Sequence, residues 1–411
     1  MAASDVRASA DRIRQTTWWR LLRHTLPVYV LSRFCVLAGA AVVAAELRVD
    51  ANLADEQQLP LADPHGTTNA GSAIRPMLDV LTAWDGLWYM DIVRNGYPDS
   101  IPPNVTYFVD EARAAFFPLF PLAGRFFDRI FPGGDSLAVL VMNTVFGLIA
   151  IVLFGLIATR LYGERVGRTT ATLACLFPGS FVLSFAYSEA LMLVLAAACL
   201  LMLLDEEWTA AGVFAAFATA TRPNGLALVV ACAVAAALAI RERRDWSSLV
   251  AVLLAPVGFI TFQVWLGQHT GEAGAWFRVQ REAWGEGASF GWTALRNTIE
   301  AVWQPMTSPT DTITALSFAA TIILLVLAWK AKLPWPLYAY SWSIVALMLV
   351  PATVTARPRF LFTAFPLLIG AAQWYDERRD RDETIWPMTM AACGAGLAAL
   401  TGLYGSFGAI P

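Results

Sequence analysis

The 411-residue chain is too apolar to be an ordinary soluble globular protein. Hydrophobic residues make up 57% of it and charged residues 15%, with a mean hydropathy of +0.54. Soluble domains are about 45–50% apolar and about 25% charged. The net charge of -3 and the lack of a basic block give no indication of a nucleic-acid partner. We therefore expect an all-α protein with many membrane spans, whose excess apolar surface faces lipid.

The chain begins with a polar, arginine-containing segment, residues 1–25, which is too long and polar to be a cleaved signal peptide. It predicts a cytoplasmic amphipathic N-terminus, followed by one transmembrane domain over residues 26–411. A bilayer crossing needs roughly 17–25 apolar residues. About eleven runs qualify, with a range of nine to thirteen because those between 169 and 240 are short. The runs are 26–46, 136–159, 169–184, 187–204, 208–221, 224–240, 247–266, 312–329, 334–352, 360–375 and 385–405.

Arginine placement predicts the orientation, because cytoplasmic loops carry an excess of basic residues. Alternating from a cytoplasmic N-terminus, the predicted cytoplasmic loops contain Arg160/Arg165/Arg168, Arg241/Arg243/Arg244, Lys330/Lys332 and Arg378/Arg379/Arg381. The opposite side has a long first loop, 47–135, a second, 267–311, and a short one, 353–359. We expect a multi-pass plasma-membrane protein with its active site in these extracytoplasmic loops.

The first loop contains the segment LTAWDGLWYMDIVRNGYPDS. Read as a helix, it places Asp85, Trp88, Tyr89 and Ile92 on one face. Aromatic rings of an amphipathic helix suit the headgroup layer. Desolvation there raises a carboxylate pKa toward that of a general base. The alternative is that Asp85 is a helix N-cap, and the residues alone leave both interpretations open.

Two other loop segments are apolar but do not fit a span. The run AFFPLFPL at 115–122 is broken by two prolines, which predicts a re-entrant or interfacial element. It either lines a groove for a lipid chain or simply packs the loop onto the bundle. The second loop, with Trp276, Phe277, Arg278, Arg281, Trp284 and Trp292, predicts an interfacial helix. Membrane anchoring alone is the favoured role there, over covering an acceptor.

Arginines at the predicted outer helix ends are candidates for phosphate binding. Arg222, Arg357 and Arg359 lie in such positions, where the planar guanidinium can hold phosphate bidentately. Snorkelling to the headgroups is the alternative for each. Glu189 is expected beside Arg222, mainly as its ion-pair partner. Arg33, inside the first apolar run, needs either a lipid phosphate or a route to the cytoplasmic face.

Five strings occur in order over most of the chain: WDGLWYMDIVRNGY, AAFFPLFPLAGR, FPGSFVLSFAYSEALMLVLAAACL, ATATRPNGLAL and RPRFLFTAFPLLIG. Together they resemble the PIG-V-like group, related to the second mannosyltransferase of GPI-anchor assembly. The resemblance implies a GT-C-type membrane glycosyltransferase that uses a polyprenyl-phosphate-linked mannose. In such enzymes a carboxylate early in the first outer loop is the usual catalytic candidate, and Asp85 matches it. The eukaryotic motif often has His near the present Trp88, so local acceptor contacts differ.

The expected site therefore combines the loop with helix ends. Asp85 is the catalytic base and Arg222, Arg357 and Arg359 bind the donor phosphate, as set out above. Secondary or acceptor contacts are predicted for Trp84, Gly86, Trp88, Tyr89, Glu189 and Asn224. Besides the donor, the expected partners are membrane lipids, a lipid, glycan or protein acceptor, and a possible partner membrane protein. We expect no tightly bound cofactor, and the scattered histidines disfavour a metal.

Two other functions compete with an enzyme. A lipid-linked saccharide flippase or transporter would place ionisable residues at mid-membrane, whereas the candidates here cluster at outer helix ends. A non-catalytic scaffold subunit is the third interpretation, because PIG-V-like enzymes can work with partner proteins.

Overall fold

The computed structural model describes residues 2–53, 74–285, 287–304, 308–352, 355–380 and 383–408. Within these ranges the chain is helical, and its strand pairing is limited to one isolated bridge between Ala288 and Pro351. The first α-helices are α1 (Ala2–Leu53), α2 (Ile74–Leu81), α3 (Asp85–Asn95), α4 (Val109–Ala112), α5 (Leu119–Asp128), α6 (Asp135–Tyr162), α7 (Glu164–Leu176), α8 (Glu189–Leu204), α9 (Trp208–Thr219) and α10 (Ala227–Arg243). They are followed by α11 (Leu249–Leu254), α12 (Val257–Thr270), α13 (Ala275–Trp284), α14 (Trp292–Trp303), α15 (Pro309–Ala331), α16 (Trp335–Leu349), α17 (Pro358–Thr363), α18 (Pro366–Asp376) and α19 (Ile385–Gly405). Short 3₁₀ helices cover Arg113–Ala115, Pro178–Leu183, Pro223–Leu226 and Trp246–Ser248.

The all-helical membrane class is confirmed for the described residues. Six helical stretches there are long and apolar enough to cross a membrane: Thr16–Glu46, Asp135–Tyr162, Pro223–Arg243, Trp246–Thr270, Pro309–Ala331 and Ile385–Gly405. Three shorter apolar helices, Glu189–Leu204, Trp208–Thr219 and Trp335–Leu349, coincide with other predicted runs. The count of eleven spans stays a prediction.

The N-terminal helix runs straight through the predicted boundary at residue 26. α1 contains Pro27 and continues without interruption from the polar lead-in into the apolar run. The amphipathic segment and the first span therefore form one helix. Residues 54–73 of the predicted first loop and 353–354 of the short loop lie outside the described residues.

Two predicted spans are broken at prolines. In the run 169–184, α7 ends at Leu176 and a 3₁₀ helix begins at Pro178. In the run 360–375, α17 ends at Thr363 and α18 begins at Pro366. Proline removes a backbone donor and disfavours helical geometry in the preceding residue, which explains both breaks.

The two broken segments contact each other. A Cβ at Gly179 would overlap the carbonyl of Pro358, so only glycine permits this approach. The 3₁₀ helix that contains Gly179 thus packs directly on the first turn of α17. The first turn of α17 also contains Arg359.

Arg33 holds the first of these breaks in place. Its guanidinium is 6% exposed and donates to the carbonyls of Ser180 (2.7 Å) and Cys175 (3.3 Å). It also donates to the hydroxyls of Ser180 (2.9 Å) and Ser184 (3.1 Å). Neither predicted role, lipid-phosphate binding or snorkelling, describes this arrangement. Arg33 instead donates to carbonyls at the end of α7 and in the 3₁₀ helix that follows it, where the α-helical hydrogen-bond pattern is interrupted.

Candidate functional site

A cavity of about 480 Å³ opens where α3, α13 and α17 meet the ends of the bundle helices. Its polar lining consists of Asp85, Tyr89, Arg222, Asn224, Gln280, Arg281 and Arg359. Its apolar lining includes Phe116, Phe117, Trp276, Phe277, Trp284, Leu347, Met348 and Phe360. A mostly apolar cavity of this size with a few convergent polar groups is typical of a small-molecule site.

Asp85 lies at the start of α3 but does not cap it. Trp84 occupies the N-cap position, and no side-chain cap is formed. The Asp85 carboxylate accepts a hydrogen bond from Nη1 of Arg359 at 2.7 Å and remains 22% exposed. The helix-cap interpretation of Asp85 is therefore wrong, and its carboxylate faces the cavity.

Trp84 makes the turn that presents Asp85. Its backbone adopts φ 56° and ψ −125°, a conformation that costs a non-glycine residue about 1–3 kcal/mol. The indole Nε1 donates to the carbonyl of Tyr404 at 2.9 Å, and the ring packs on Phe407 at 4.9 Å. These contacts with the end of α19 fix the strained turn.

The predicted face of α3 is buried in protein. Trp88, Tyr89 and Ile92 are each 2–3% exposed. Tyr89 packs edge-on against Phe116 and Phe120, at 5.0 and 4.8 Å. The helix therefore packs on the proline-broken element rather than lying open to the headgroup layer. As predicted, that element does not span the membrane, since Leu119–Asp128 is a ten-residue helix.

Arg359 joins two carboxylates. Its Nη1 lies 2.7 Å from Asp85 Oδ2 and 3.7 Å from Glu189 Oε1. The guanidinium also stands over the ring of Tyr187 at 5.4 Å. Burial lowers the pKa of Arg359, but the two carboxylates more than offset it and raise that pKa above its ordinary value. The group stays positively charged.

Glu189 is the predicted ion-pair partner of Arg222, and this is confirmed. Its Oε2 lies 2.5 Å from Nη1 of Arg222. Glu189 is fully buried, whereas Asp85 is 22% exposed. Among the described residues that line the cavity, Asp85 is the one carboxylate. The two acids therefore have different positions: one meets the cavity and the other supports the arginines behind it.

Residues that the sequence did not single out hold Glu189 in place. Asn143, fully buried in α6, donates from Nδ2 to the carbonyls of Phe185 (2.5 Å) and Tyr187 (2.6 Å). Ser188 shares a hydrogen bond with the Tyr89 hydroxyl at 2.6 Å and accepts one from Arg222 at 3.1 Å. A polar residue inside an apolar span is the sequence signal that marks Asn143.

Two of the three arginines that line the cavity, Arg222 and Arg359, have donors to spare. The Nε atoms of Arg222 and Arg359 are buried and have no hydrogen-bond partner within the described residues. An unpaired buried donor is costly, so each calls for a ligand or other partner. Asn224, in the turn just after Arg222, lines the same wall. This part of the cavity fits an anion with several acceptor oxygens.

Besides Glu189, four predicted site residues lie outside the cavity lining. Arg357 is 2% exposed and donates to the hydroxyl of Thr314 in α15, so its position gives no support to a phosphate contact. Trp84 braces the turn described above. Gly86 packs on Ala186, where a Cβ would make only ordinary contact at 3.5 Å. Trp88 lies behind the lining.

The second loop contributes a wall, so anchoring is not its sole role. One face of α13 lines the cavity through Trp276, Phe277, Gln280, Arg281 and Trp284. Trp276 Nε1 donates to the carbonyl of Ala115 at 2.9 Å and so joins the two loops. The aromatic residues of this loop were visible in the sequence, but their facing surface depends on tertiary packing.

Trp88 supports this wall from behind. Its ring stacks on Phe116 at 5.4 Å and lies 5.9 Å from Trp284. Tyr107 meets the same cluster, 4.8 Å from Trp88. Burial, and then the charge of Asp85, raises the pKa of Tyr107 to about 12, so this phenol stays neutral.

The acidic residues that flank the motif do not join Asp85. Asp91 pairs with Arg113 at 2.8 Å, and Asp99 lies 3.5 Å from His269. Among the described residues, no three His, Cys, Asp or Glu side chains come together as a metal site would require. Metal independence stays a prediction.

Comparison with known proteins agrees with the order of the motifs. The family model described as Mannosyltransferase (PIG-V) matches residues 30–240, just over half of the chain. The GPI alpha-1,6-mannosyltransferase 2 of Rattus norvegicus is 30% identical over 186 residues, 43% of this chain and 35% of the relative. The Mus musculus protein of the same name is 30% identical over 177 residues, 41% and 33% of the two chains. The match thus spans about a third of the length of these relatives.

Solved structures show a weaker likeness. ArnT from Cupriavidus metallidurans, bound to undecaprenyl phosphate, has a TM-score of 0.49 and 16% identity, over 74% of this chain and 56% of that one. The Archaeoglobus fulgidus oligosaccharyltransferase has a TM-score of 0.41 and 12% identity, over 79% and 51%. The family match, by contrast, contains Asp85, Glu189 and Arg222, three of the four residues of the ion-pair cluster that Arg359 completes. This chain belongs to the PIG-V mannosyltransferase family.

Proposed function

We propose that the chain is a membrane glycosyltransferase that moves mannose from a polyprenyl-phosphate-mannose donor to a lipid, glycan or protein acceptor, with inversion at the sugar. The observation that carries this proposal is the position of Asp85. It is the carboxylate on the lining, next to two arginines and opposite an aromatic wall. The family membership supports mannose as the transferred sugar.

Asp85 has the exposure that a base requires. The acceptor hydroxyl gives its proton to Asp85 while its oxygen attacks C1 of the sugar. The bond from C1 to the phosphate oxygen breaks, and its electron pair leaves with the phosphate. Attack from the face opposite the phosphate inverts the configuration, as a carboxylate base does in inverting glycosidases. Because phosphate is a good leaving group, no general acid is needed.

Arg222 and Arg359 are assigned to the departing phosphate. Both line the cavity and both have a buried Nε without a partner in the described residues. Glu189 and Asp85 offset the charge of Arg222 and Arg359, and Arg281 on the same lining leaves a net positive charge for a phosphate. Donors that are already oriented stabilise developing charge without reorganisation. Arg357 is not assigned to the phosphate, because it lies against α15.

The apolar side of the cavity suits substrates attached to lipid. Phe277, Phe360 and Leu347 line it together with the tryptophans of α13. Two of the lining elements, α3 and α13, come from the two long loops that arginine placement predicts to be extracytoplasmic, which supports a reaction at that face. We propose the plasma membrane as the location.

The contacts of Arg33 favour an enzyme over a transporter. Arg33, the ionisable residue inside the span of α1, directs its donors to carbonyls and hydroxyls of the protein. Such a group supports the fold rather than a pathway. A non-catalytic scaffold would have no use for an exposed carboxylate beside arginines with unpaired donors.

The proposal is tested with the purified full-length chain in lipid nanodiscs, polyprenyl-phosphate-mannose and a panel of lipid, glycan and peptide acceptors. We expect consumption of the mannose donor with at least one acceptor and a product of inverted configuration. Consumption of a different polyprenyl-phosphate sugar, with none of the mannose donor, would overturn mannose. A product of retained configuration would overturn the single-displacement mechanism.

A further inference from the structure

A second polar cavity, of about 530 Å³, lies at the other end of the bundle. α19 joins the two ends, with Trp386 of its first turn at this cavity and Tyr404 of its last turn beside Trp84. A helix rises about 1.5 Å per residue, so these residues are about 27 Å apart. The hydrocarbon core of a bilayer is about 30 Å thick. This separation matches the thickness of the hydrocarbon core, so the two cavities are spaced as sites at opposite headgroup layers would be.

The lining of this cavity is basic. It contains Arg165, Arg168 and Arg379, against one carboxylate, Glu164. Asp376 pairs with Arg165 at 3.0 Å, and Glu164 with Arg168 at 2.6 Å. Even with Asp376 included, the arginines outnumber the carboxylates. The cavity thus retains capacity for an anion.

These ion pairs do not close the cavity to a ligand. The side chain of Arg165 is 63% exposed and that of Arg168 is 47% exposed. Exposed ion pairs contribute little, because water screens them. A phosphate with two or three free oxygens offers an arginine fork a better partner than a shared carboxylate does.

The floor and rim of the cavity fit a lipid headgroup. His24 and Thr172 share a hydrogen bond of 3.1 Å across the floor, next to Thr169. At the rim, Tyr375 stacks on Trp386 at 4.7 Å. Tyrosine and tryptophan favour the headgroup layer, where one end of the ring is apolar and the other meets water.

Topology alone does not explain this arrangement. Arginines that only orient the chain need to be on the cytoplasmic side, but they need not converge. Here residues from the first two turns of α7 and from the turn after α18 meet over one cavity with a polar floor. Basic pockets between membrane helices are suited to anionic lipid headgroups.

We propose that this second cavity binds the phosphate of an anionic membrane-lipid headgroup. The site is independent of the proposed sugar transfer, since it lies at the opposite end of the bundle. Its ligand is a phosphodiester attached to acyl chains, and the arginines select it over zwitterionic lipid.

The test compares two double variants of the full-length chain in detergent, with lipid binding measured by native mass spectrometry. The probes are phosphatidylglycerol, phosphatidylcholine with the same acyl chains, and inorganic phosphate. The test variant is Arg168→Gln with Arg379→Gln. The control is Arg241→Gln with Arg243→Gln, which removes the same charge from another loop of the same predicted face. Both are first checked for an unchanged thermal midpoint.

We expect the test variant to bind phosphatidylglycerol about twenty-five-fold more weakly, since each arginine near an anionic headgroup contributes about fivefold. The control should change by less than about threefold on the same reasoning. Equal losses in both variants would show an effect of net charge alone and overturn the site, as would no loss in the test variant. Equal affinity of the unmodified chain for phosphatidylcholine, or displacement of the lipid by equimolar inorganic phosphate, would overturn an anionic lipid as the ligand.

If the test variant does not fold, a second variant, Arg168→Lys with Arg379→Lys, keeps the charge but removes the planar guanidinium groups that bind phosphate through two donors. It should lose about fivefold, and no loss would again overturn the proposal.

Discussion

Arg33 and Arg359 are both buried, and Arg33 contacts the break after α7 while Arg359 lies in the helix that packs on it, yet their surroundings differ. Arg33 is 6% exposed and directs its donors to carbonyls and hydroxyls of the protein. Arg359 is equally buried but lies between two carboxylates and keeps an unpaired Nε beside a cavity. The burial of an arginine therefore does not reveal its role. What distinguishes the two is whether the protein itself satisfies the guanidinium.

Of the two arginines, Arg359 is expected to have the larger effect on sugar transfer. Arg359→Gln should lower the rate of sugar transfer about 10²- to 10³-fold, the usual cost of removing one oriented donor to developing charge. Initial rates with saturating donor, measured on folded protein, test this. Arg113→Gln is the matched control, since Arg113 also pairs with an aspartate of α3, Asp91 at 2.8 Å. A loss in the control as large as that of Arg359→Gln would contradict a specific role.

Arg33 should show the opposite pattern. Arg33→Met removes the guanidinium donors to the carbonyls of Ser180 and Cys175 and to the hydroxyls of Ser180 and Ser184, which should cost about 3 kcal/mol of stability. The readout is the thermal midpoint in detergent, alongside transfer per folded molecule. We expect the midpoint to fall clearly and the specific activity to stay within about threefold. A stable variant with lost activity would reverse the assigned roles of the two arginines.

The smallest effects are expected from alanine substitutions of two glycines, Gly179 in the 3₁₀ helix after α7 and Gly86 in α3. Gly179→Ala forces a methyl group into the carbonyl of Pro358 and should displace the first turn of α17, at a cost of about 2 kcal/mol. Gly86→Ala meets ordinary contacts at 3.5 Å and should change stability by less than about 1 kcal/mol. Thermal midpoints and transfer rates of the two variants provide the comparison. If Gly86→Ala is the more damaging, the packing account of the break is wrong.

The sequence predicted the class of the protein and the charged residues of its site, because membrane burial makes each charge conspicuous. Asp85, Glu189 and Arg222 could be grouped through ordered motifs and helix ends. The sequence did not predict which of the two arginines, Arg357 or Arg359, would face the cavity. Arg357 and Arg359 are two residues apart, and the direction of each depends on how α17 begins.

Contacts across the chain were also beyond the sequence. The wall that α13 contributes depends on Trp276 meeting Ala115, a contact 161 residues apart along the chain. Arg33 could be recognised as needing a partner, but its partners are carbonyls exposed by a helix break at Pro178. An apolar run that contains a proline does not show by itself whether the helix bends or stops.

The most direct test of the central claim is the transfer rate of Asp85→Asn, compared with Asp91→Asn on the same helix. Both changes are isosteric, and both remove one partner of an aspartate–arginine pair. We expect Asp85→Asn to lose about 10²- to 10⁴-fold in rate while it still binds donor, as removal of a general base requires. Asp91→Asn should stay within about threefold of the unmodified chain. Transfer by Asp85→Asn at the rate of the unmodified chain would contradict the assignment of Asp85 as the base.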